Sequence, residues 1–351
     1  MDRKRALCKA KMRIRWEDIR SLEPGPEEAL IRITHCGVCA SDIHDLEGNL
    51  KDWQPLGHEM IGIVEKAGGN VKNISVRMPV AIRNATACGE CDECRQGIPR
   101  FCQHIIHCVG GFATHVTANA KALMSLGDLS QDDAVLIEPL NVALDLIKTA
   151  ELQDAGPVVI VGPGPIGILA AYVCAYQHRS PLWVIGHKTS VQRLELLQRL
   201  PTFQKIYNAH NHGWANEARR DIAGLNGAKF LITTPPVSIP KIILPIAPSA
   251  SIFCTIGLAA HACDELLKVP VRSWMFRRYQ LRMSFAYPNL YFEEARKILK
   301  NGLIPTQQFI THHFPLSKVH DAFECVRRRE DGLIKAVVEP GDDLRARPVQ
   351  T

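Results

Sequence analysis

Residues 158–167, Val158-Val159-Ile160-Val161-Gly162-Pro163-Gly164-Pro165-Ile166-Gly167, carry the clearest indication of the fold. The four leading apolar residues predict a strand buried on both faces, as in a parallel sheet. The apolar, alanine-rich run over residues 166–177 predicts a helix, and another apolar run at residues 182–185 predicts a second buried strand. Strand, glycine turn, helix and strand form a βαβ unit, so we predict an α/β protein with a doubly wound parallel sheet.

The glycines of this turn form a G-x-G-x-x-G fingerprint, made by Gly162, Gly164 and Gly167. Glycine permits the tight turn and a close approach of the backbone to a ligand. The predicted helix, which Pro165 precedes and Ile166 begins, presents free N–H groups and the positive end of its dipole to a pyrophosphate, so both residues are candidates for the cofactor site. Because the fingerprint follows a predicted strand and opens a predicted helix, it indicates a dinucleotide site rather than an ordinary glycine turn.

The end of the second strand bears on which dinucleotide is bound. An acidic residue about 20 positions after the fingerprint would hold the ribose 2′-hydroxyl of NAD. Gly186, His187 and Lys188 stand there instead, with Arg193 nearby. A small residue followed by cationic ones leaves room and charge for a 2′-phosphate, so the sequence favours NADP over NAD, with these four residues around the phosphate. The alternative is an NAD-binding protein in which Lys188 is merely solvated.

The length of 351 residues fits two domains. Short β-rich segments predict a mostly β first half, at residues 28–35, 59–66, 78–83 and 112–118. Further strands of the parallel sheet are predicted at residues 230–233, 251–256 and 280–285. Two amphipathic helices and a closing strand follow, at residues 292–300, 318–328 and 334–338. We predict a β-rich domain over residues 1–150, a dinucleotide-binding domain over 151–286, and a return to the first domain over 287–351.

Composition narrows the classes of function. Hydrophobic residues make up 46% of the chain, and no apolar run approaches the roughly 20 residues that span a bilayer, so we predict no membrane partner. The formal net charge of +6 comes without a long basic run, which argues against a nucleic-acid partner. The basic N-terminus lacks the apolar stretch of a secretory signal. We therefore predict a cytoplasmic protein, in which the 12 cysteines are thiols or metal ligands.

Four cysteines lie close together at the spacing C-x2-C-x2-C-x7-C: Cys88, Cys91, Cys94 and Cys102. Four thiolates complete a tetrahedral shell around Zn²⁺ and leave no position for substrate. This predicts a structural zinc that holds a loop. The alternative, a disulfide-bonded or coincidental run of cysteines, fits poorly with the two tight C-x2-C steps and with a reducing compartment.

Two further segments carry the residue types of an open zinc site. Residues 36–44 supply thiols, a hydroxyl and an imidazole, and Gly57-His58-Glu59 adds an imidazole and a carboxylate. A catalytic zinc takes about three protein ligands and keeps one position for water or substrate. Cys39, His58 and Glu59 satisfy that inventory, although each of them alone is also typical of the core or the surface.

Together these motifs resemble the zinc-dependent medium-chain dehydrogenases, which include alcohol, sorbitol and threonine dehydrogenases. The resemblance covers most of the chain and rests on the glycine fingerprint, the four-cysteine cluster, residues 39–44, Gly57-His58-Glu59, Gly111-Phe112-Ala113 and Glu138-Pro139. It implies a GroES-like β domain that carries two zinc ions and is interrupted by a Rossmann domain. It also implies that Cys39 and His58 are catalytic ligands, while Cys36 is not. Glu59 and Glu138 compete for the remaining position.

The resemblance implies an oxidoreductase that transfers hydride between an alcohol and NAD(P)⁺ and gives a ketone or aldehyde. Ser41 would take the hydroxyl proton and pass it through His44 towards solvent. The alternative role for Ser41 is to cap a helix. Glu138-Pro139 resembles the sorbitol and threonine dehydrogenase branch, which favours a polyol, sugar or amino alcohol as substrate. A homodimer or homotetramer is implied as well.

Two other functions would use the same residues. An NADPH-dependent carbonyl reductase would run the same site in the opposite direction. A catalytically silent dinucleotide-binding regulator would keep the fingerprint without turnover, but a complete open zinc site would then have no purpose.

Overall fold

The computed structural model describes residues 3–187, 190–235, 238–256 and 267–341. The chain forms two compact units, one of Met1–Asn141 together with Tyr287–Thr351, the other of Val142–Ala286. The chain passes from the first unit to the second after Asn141, inside the helix Ile137–Ala150. Among the described residues, no helix combines the length and apolar character needed to cross a membrane.

The strands of the described residues follow in chain order as β1 Lys4–Lys9, β2 Arg13–Asp18, β3 Glu28–Gly37, β4 Gln54–Pro55, β5 Glu59–Ala67, β6 Pro79–Ile82, β7 Ala85–Thr86, β8 Ile106–His107, β9 His115–Asn119, β10 Leu123–Ser125, β11 Val158–Val161, β12 Leu182–Gly186, β13 Phe203–Asn208, β14 Lys229–Ile232, β15 Ile252–Thr255, β16 Gln280–Met283, β17 Ile310–Pro315 and β18 Lys335–Glu339.

The α-helices are α1 Ala40–His44, α2 Asp92–Arg95, α3 Gln131–Ala134, α4 Ile137–Ala150, α5 Pro165–Gln177, α6 Val191–Gln198, α7 Trp214–Ile222, α8 Val271–Arg277, α9 Phe292–Lys300, α10 Thr306–Phe309 and α11 Val319–Arg328. Short 3₁₀ turns occupy Pro99–Phe101, Ala120–Ala122 and Leu316–Lys318, and π-helical turns occupy Asp45–Asn49 and Ile239–Ile243.

The first unit is built mainly on antiparallel strands. Its largest sheet has the order β10-β6-β5-β3-β18-β17, with β9 also paired to β3, and a smaller sheet has the order β2-β1-β4. Alternate residues of β3, namely Ala29, Ile31 and Ile33, are fully buried in one core because successive side chains of a strand point to opposite faces. Strand β18 pairs with β3, so residues that follow the second unit complete the sheet of the first.

The second unit contains six parallel strands in the order β13-β12-β11-β14-β15-β16. Counted from β11, this is the order 3-2-1-4-5-6 of the doubly wound dinucleotide-binding fold. All four residues of β11 are buried, as expected for a strand covered on both faces. The predicted fold class is therefore confirmed for this unit, with β11, α5 and β12 at the predicted positions.

Candidate functional site

The four cysteines of the predicted structural zinc site converge between β7 and β8. Their sulfur atoms all lie within 4.8 Å of one another. The separations are 3.6 Å for Cys88 and Cys102, 3.8 Å for Cys91 and Cys102, and 4.0 Å for Cys88 and Cys94. A Zn–S bond of about 2.3 Å sets the sulfur-to-sulfur edge of a tetrahedron at about 3.8 Å, whereas a disulfide bond measures about 2.05 Å. The sulfur positions therefore fit a zinc ion and not disulfide pairs.

Backbone N–H groups of this loop point at the sulfurs. Those of Glu90 and Cys91 each donate to Cys88 Sγ at 3.3 Å, and that of Cys88 donates to Cys102 Sγ at 3.3 Å. The hydrogen bonds from Glu90 and Cys91 favour the thiolate and lower the pKa of Cys88 to about 6. Lys121 holds the loop in place, because it donates to the Cys88 carbonyl at 2.9 Å and pairs with the Glu90 carboxylate.

Three of the predicted catalytic ligands come together elsewhere in the first unit. The donor atoms of Cys39, His58 and Glu59 all lie within 4.8 Å of one another. Cys39 is the N-cap of α1, and His58 and Glu59 lie at the start of β5. Cys36, by contrast, is fully buried in the core, and burial raises the pKa of its thiol well above the usual value.

Lys335 on β18 holds the Glu59 carboxylate. Its ammonium group donates to Glu59 Oε1 at 2.5 Å and to the Val38 carbonyl at 2.9 Å, and the two charged side chains are only 3% and 1% exposed. Glu59 Oε2 also lies 2.5 Å from this nitrogen, so both carboxylate oxygens face the ammonium group. Each oxygen has a further lone pair for a metal ion, and the donor set fits an open zinc site.

Asp42 orients the other two ligands. Its buried carboxylate accepts a hydrogen bond from the Cys39 N–H at 2.9 Å and lies 3.4 Å from His58 Nδ1. A carboxylate on Nδ1 fixes the tautomer that leaves Nε2 to a metal. Burial by itself would lower the pKa of His58, but Asp42 raises it well above the usual value. The sequence analysis did not single out Asp42, although an acid three residues after an N-cap is a recognisable capping pattern.

Glu138 lies in the first turn of α4 and is buried beside this cluster. Its carboxylate does not belong to the group of donor atoms formed by Cys39, His58 and Glu59. Burial raises the pKa of Glu138 to about 7, with His58 acting to lower it and Glu59 acting to raise it. Three of the four candidate ligands thus lie within 4.8 Å of one another, and the fourth, Glu138, interacts electrostatically with two of them.

The two residues of the predicted proton relay lie on α1. Ser41 and His44 are three positions apart and therefore neighbours on one helix face. Cys39 is the N-cap and Ser41 is the second helical residue, so the alternative role of Ser41 as the cap does not agree with the structure. His44 Nδ1 is buried without a hydrogen-bond partner among the described residues, which leaves it available to a proton.

The glycine fingerprint of the second unit joins β11 to α5. Gly162 has φ +97°, and Gly164 is the N-cap of α5, which opens with Pro165 and Ile166. A Cβ atom on Gly167 would lie 2.1 Å from the Gly162 carbonyl oxygen, so only glycine lets this helix approach the strand so closely. The loop has the form that presents helix N–H groups to a pyrophosphate.

Three of the residues predicted around the 2′-phosphate lie within the described part of the chain. Gly186 is the buried last residue of β12, and His187 follows it on the surface. Arg193 Nη1 donates to the Pro163 carbonyl of the fingerprint loop at 3.5 Å. Lys188 lies outside the described residues. The ring of His187 lies 4.5 Å from that of His210, which follows the neighbouring strand β13 and was not singled out in the sequence.

Comparison with known proteins agrees with this geometry. Residues 25–128 match the family model of the alcohol dehydrogenase GroES-like domain. An L-galactonate-5-dehydrogenase from Escherichia coli (strain K12) is 29% identical over 344 residues, which cover 95% of this chain and 97% of the relative. A sorbitol dehydrogenase from Gallus gallus is 27% identical over 341 residues, which cover 91% and 92%.

A solved structure shares the fold over nearly the whole chain. It is described as a short chain alcohol dehydrogenase from E. coli CFT073 complexed with NADH, and it has a TM-score of 0.85, 21% identity, and coverage of 96% of this chain and 99% of its own. The GroES-like match, the full-length similarity to polyol and sugar-acid dehydrogenases and the two cysteine-containing clusters agree with one another. The chain carries the GroES-like domain of alcohol dehydrogenases over residues 25–128, and nearly its whole length is similar to zinc-dependent medium-chain dehydrogenases.

Proposed function

We propose that the protein is a zinc-dependent oxidoreductase that transfers hydride between an alcohol and NAD(P)⁺, giving a ketone or aldehyde. The convergence of Cys39, His58 and Glu59 carries the proposal, because three donors of these types are the ligand inventory of a catalytic zinc with an open position. The relatives act on sorbitol and L-galactonate by name, so we extend the proposal to a polyhydroxylated substrate, a polyol or a sugar derivative.

Each residue of the cluster has a separate part in this proposal. Cys39, His58 and Glu59 would hold the zinc, with Glu138 beside them. Bound zinc acts as a Lewis acid that polarises the substrate oxygen. Asp42 keeps His58 in the ligating tautomer, and Lys335 orients the Glu59 carboxylate.

Proton movement is proposed to follow α1. The Ser41 hydroxyl accepts the proton of the substrate alcohol and donates its own to the next group on the helix face. His44 is that group, because its ring lies one helical turn further and Nδ1 has no competing partner among the described residues. Gly162, Gly164 and the first turn of α5 would hold the pyrophosphate of the dinucleotide, which would supply the hydride acceptor.

We propose NADP as the dinucleotide. Separately, we propose that Cys88, Cys91, Cys94 and Cys102 bind a structural zinc ion. Strand β12 ends in Gly186 and is followed directly by His187, so the position of the expected acidic residue holds neither Asp nor Glu. Arg193 supplies a cationic group beside the fingerprint loop, His187 supplies an imidazole directly after β12, and Lys188 adds a further cation by sequence.

A direct assay tests the proposal. Sorbitol, L-galactonate and simple secondary alcohols would be supplied with NADP⁺ or NAD⁺, and absorbance at 340 nm would be followed. We expect turnover of a polyhydroxylated alcohol and its loss in Cys39→Ser, with activity kept in Cys36→Ala, the neighbouring buried thiol outside the cluster. The reverse reaction would be assayed with the corresponding ketones or aldehydes and the reduced cofactors. Absence of turnover in both directions, in protein that carries zinc at both clusters, would refute the proposed enzymatic activity and favour the catalytically silent dinucleotide-binding regulator.

We also propose that the protein is a homodimer. Strand β16 is the edge of the six-stranded sheet, and Leu281 and Met283 on it are 39% and 65% exposed. On α8, Met275 and Phe276 are 72% and 77% exposed. An apolar edge strand favours pairing with another chain. Light scattering on the purified protein would give its mass, and a monomer would contradict the proposal. The cytoplasmic location expected from cysteine usage stays a prediction.

A further inference from the structure

A third cluster of metal-ligating side chains lies in the first unit, at the C-terminal end of α11. The donor atoms of His312, Cys325 and Glu330 all lie within 4.8 Å of one another. These are the same three donor types, imidazole, thiol and carboxylate, as in the candidate catalytic cluster. The proposed reaction makes no use of them, and the motifs of the sequence analysis do not include them.

The turn that ends α11 brings two of these side chains together. Arg329 adopts a left-handed conformation with φ +51°. The N–H of Arg329 donates to the Val326 carbonyl at 3.1 Å, and the N–H of Glu330 donates to the Cys325 carbonyl at 3.2 Å. These two bonds define a Schellman motif, which sets the side chains at the positions of Cys325 and Glu330 against each other. Apolar residues frequently fill both positions, whereas here a thiol faces a carboxylate.

His312 reaches the cluster from β17, at a register shift in the pairing with β18. Its Nδ1 lies 2.9 Å from the Thr311 hydroxyl, which donates its single proton to the Lys335 carbonyl at 3.3 Å. With the hydroxyl proton on that carbonyl, the hydroxyl oxygen accepts a hydrogen bond from Nδ1–H, and the neutral ring keeps its lone pair on Nε2. An imidazole with Nδ1 oriented by a neighbour and Nε2 free is in the form that binds zinc.

The exposure of the three side chains gives a metal ion a route to the cluster. Cys325 is buried, His312 is half-buried and Glu330 is exposed. An ion can enter past the Glu330 carboxylate and meet the imidazole and then the thiol. Cys325 is 2% exposed, so the sulfur would be shielded from bulk water once the ion is bound.

We propose that His312, Cys325 and Glu330 bind a third zinc ion, which ties the end of α11 to β17. The Cys325 thiol releases its proton to water as the Zn–S bond forms, and water completes the tetrahedral shell. Helix α11 packs against α1, which carries Ser41 and His44. The third ion thus stabilises the element that supports the proposed relay and takes no part in the chemistry.

Zinc titration of the whole chain tests this proposal. Protein dialysed against a weak chelator would be titrated with Zn²⁺, and bound zinc per chain would be measured by plasma mass spectrometry. We expect three ions in the unaltered protein and two in Cys325→Ser and in Glu330→Gln, with binding of the third ion weakened at least about tenfold. Glu324→Gln is the matched control, because that carboxylate lies on the same helix but pairs with Arg327 and Arg328.

The outcomes separate this site from the other two. We expect Zn²⁺ to raise the melting temperature of the dialysed protein and of Glu324→Gln by several degrees, and of Glu330→Gln by less. Cys39→Ser should lose a different ion, so failure of the catalytic proposal leaves this measurement intact. Glu330 is exposed, and its replacement is not expected to disturb folding, so the test stands even if Cys325→Ser does not fold. Equal zinc content and equal affinity in the unaltered protein and both variants would overturn the proposal.

Discussion

Replacement of Lys335 by methionine removes the only cation that the structure shows bonded to Glu59 within the described residues. The two side chains are 3% and 1% exposed and their charged atoms are 2.5 Å apart. At an effective dielectric constant of about 20, Coulomb's law gives about 7 kcal/mol for unit charges at that separation. Desolvation of the ammonium group offsets part of this attraction in the unaltered protein. We therefore expect Lys335→Met to lower the free energy of unfolding by about 3–5 kcal/mol, as for other broken buried pairs.

Urea unfolding followed by circular dichroism measures this loss, with a chelator present in every sample so that no zinc ion neutralises Glu59. Glu59→Gln combined with Lys335→Met provides the control, since it removes the charge that would otherwise stay buried alone. The double variant should be more stable than Lys335→Met. A loss below about 1 kcal/mol in Lys335→Met, or no recovery in the double variant, would refute the view that the pair neutralises a buried carboxylate.

Two further predictions concern the first unit. Asp42→Asn removes the charge that orients His58. Competition with a chelator should show that zinc binding at the catalytic cluster is weakened about 10–100-fold, while binding at the four-cysteine site is unchanged. Equal zinc affinity of the catalytic cluster in the variant and the unaltered protein would contradict the orienting role of Asp42. His35 lies 2.9 Å from Asp132 and 3.9 Å from Glu339, yet burial lowers its pKa below 6.5, with nearby His313 acting in the same direction. Its neutral form therefore stabilises the fold above pH 6.5, and this contribution is lost as the pH falls. Calorimetry should show a steeper fall of the melting temperature below pH 6.5 than in His35→Gln, and parallel curves would exclude this cause.

The parallel sheet could be predicted because its signals are local. Strand β11 and the fingerprint occupy ten consecutive residues, and their apolar run and glycines are sufficient to identify both. The same holds for α9, whose bounds match the prediction over residues 292–300. The hairpin of β1 and β2 was missed because its strands carry many lysine and arginine side chains, and only their pairing reveals them. A pattern of side-chain polarity does not contain that information.

Some residues around the candidate zinc sites could likewise be recognised from local sequence, and others could not. The cysteines at 88–102 are recognisable because all four ligands come from one short loop. Lys335 carries no such signal, because it lies 276 positions from its partner Glu59. His312 is similarly separated from any motif, and its role depends on a hydroxyl and a helix turn that only the structure supplies. Local sequence therefore identifies candidate metal ligands that are neighbours in the chain, while the groups that orient and neutralise them come from tertiary pairing.

The pairing of three strands explains why the candidate catalytic cluster needs both segments of the first unit. Gly37 on β3 pairs with Glu59 on β5 on one side and with Val337 on β18 on the other. A Cβ atom on Gly37 would lie 1.9 Å from the Glu59 carboxylate and 3.0 Å from Lys335 Cε, so the ion pair crosses directly over this glycine. Residues 1–141 alone would bury Glu59 without its cation, which is the most costly arrangement for a carboxylate. The segment after residue 287 must therefore return to β3 before the metal ligands can reach their stable positions.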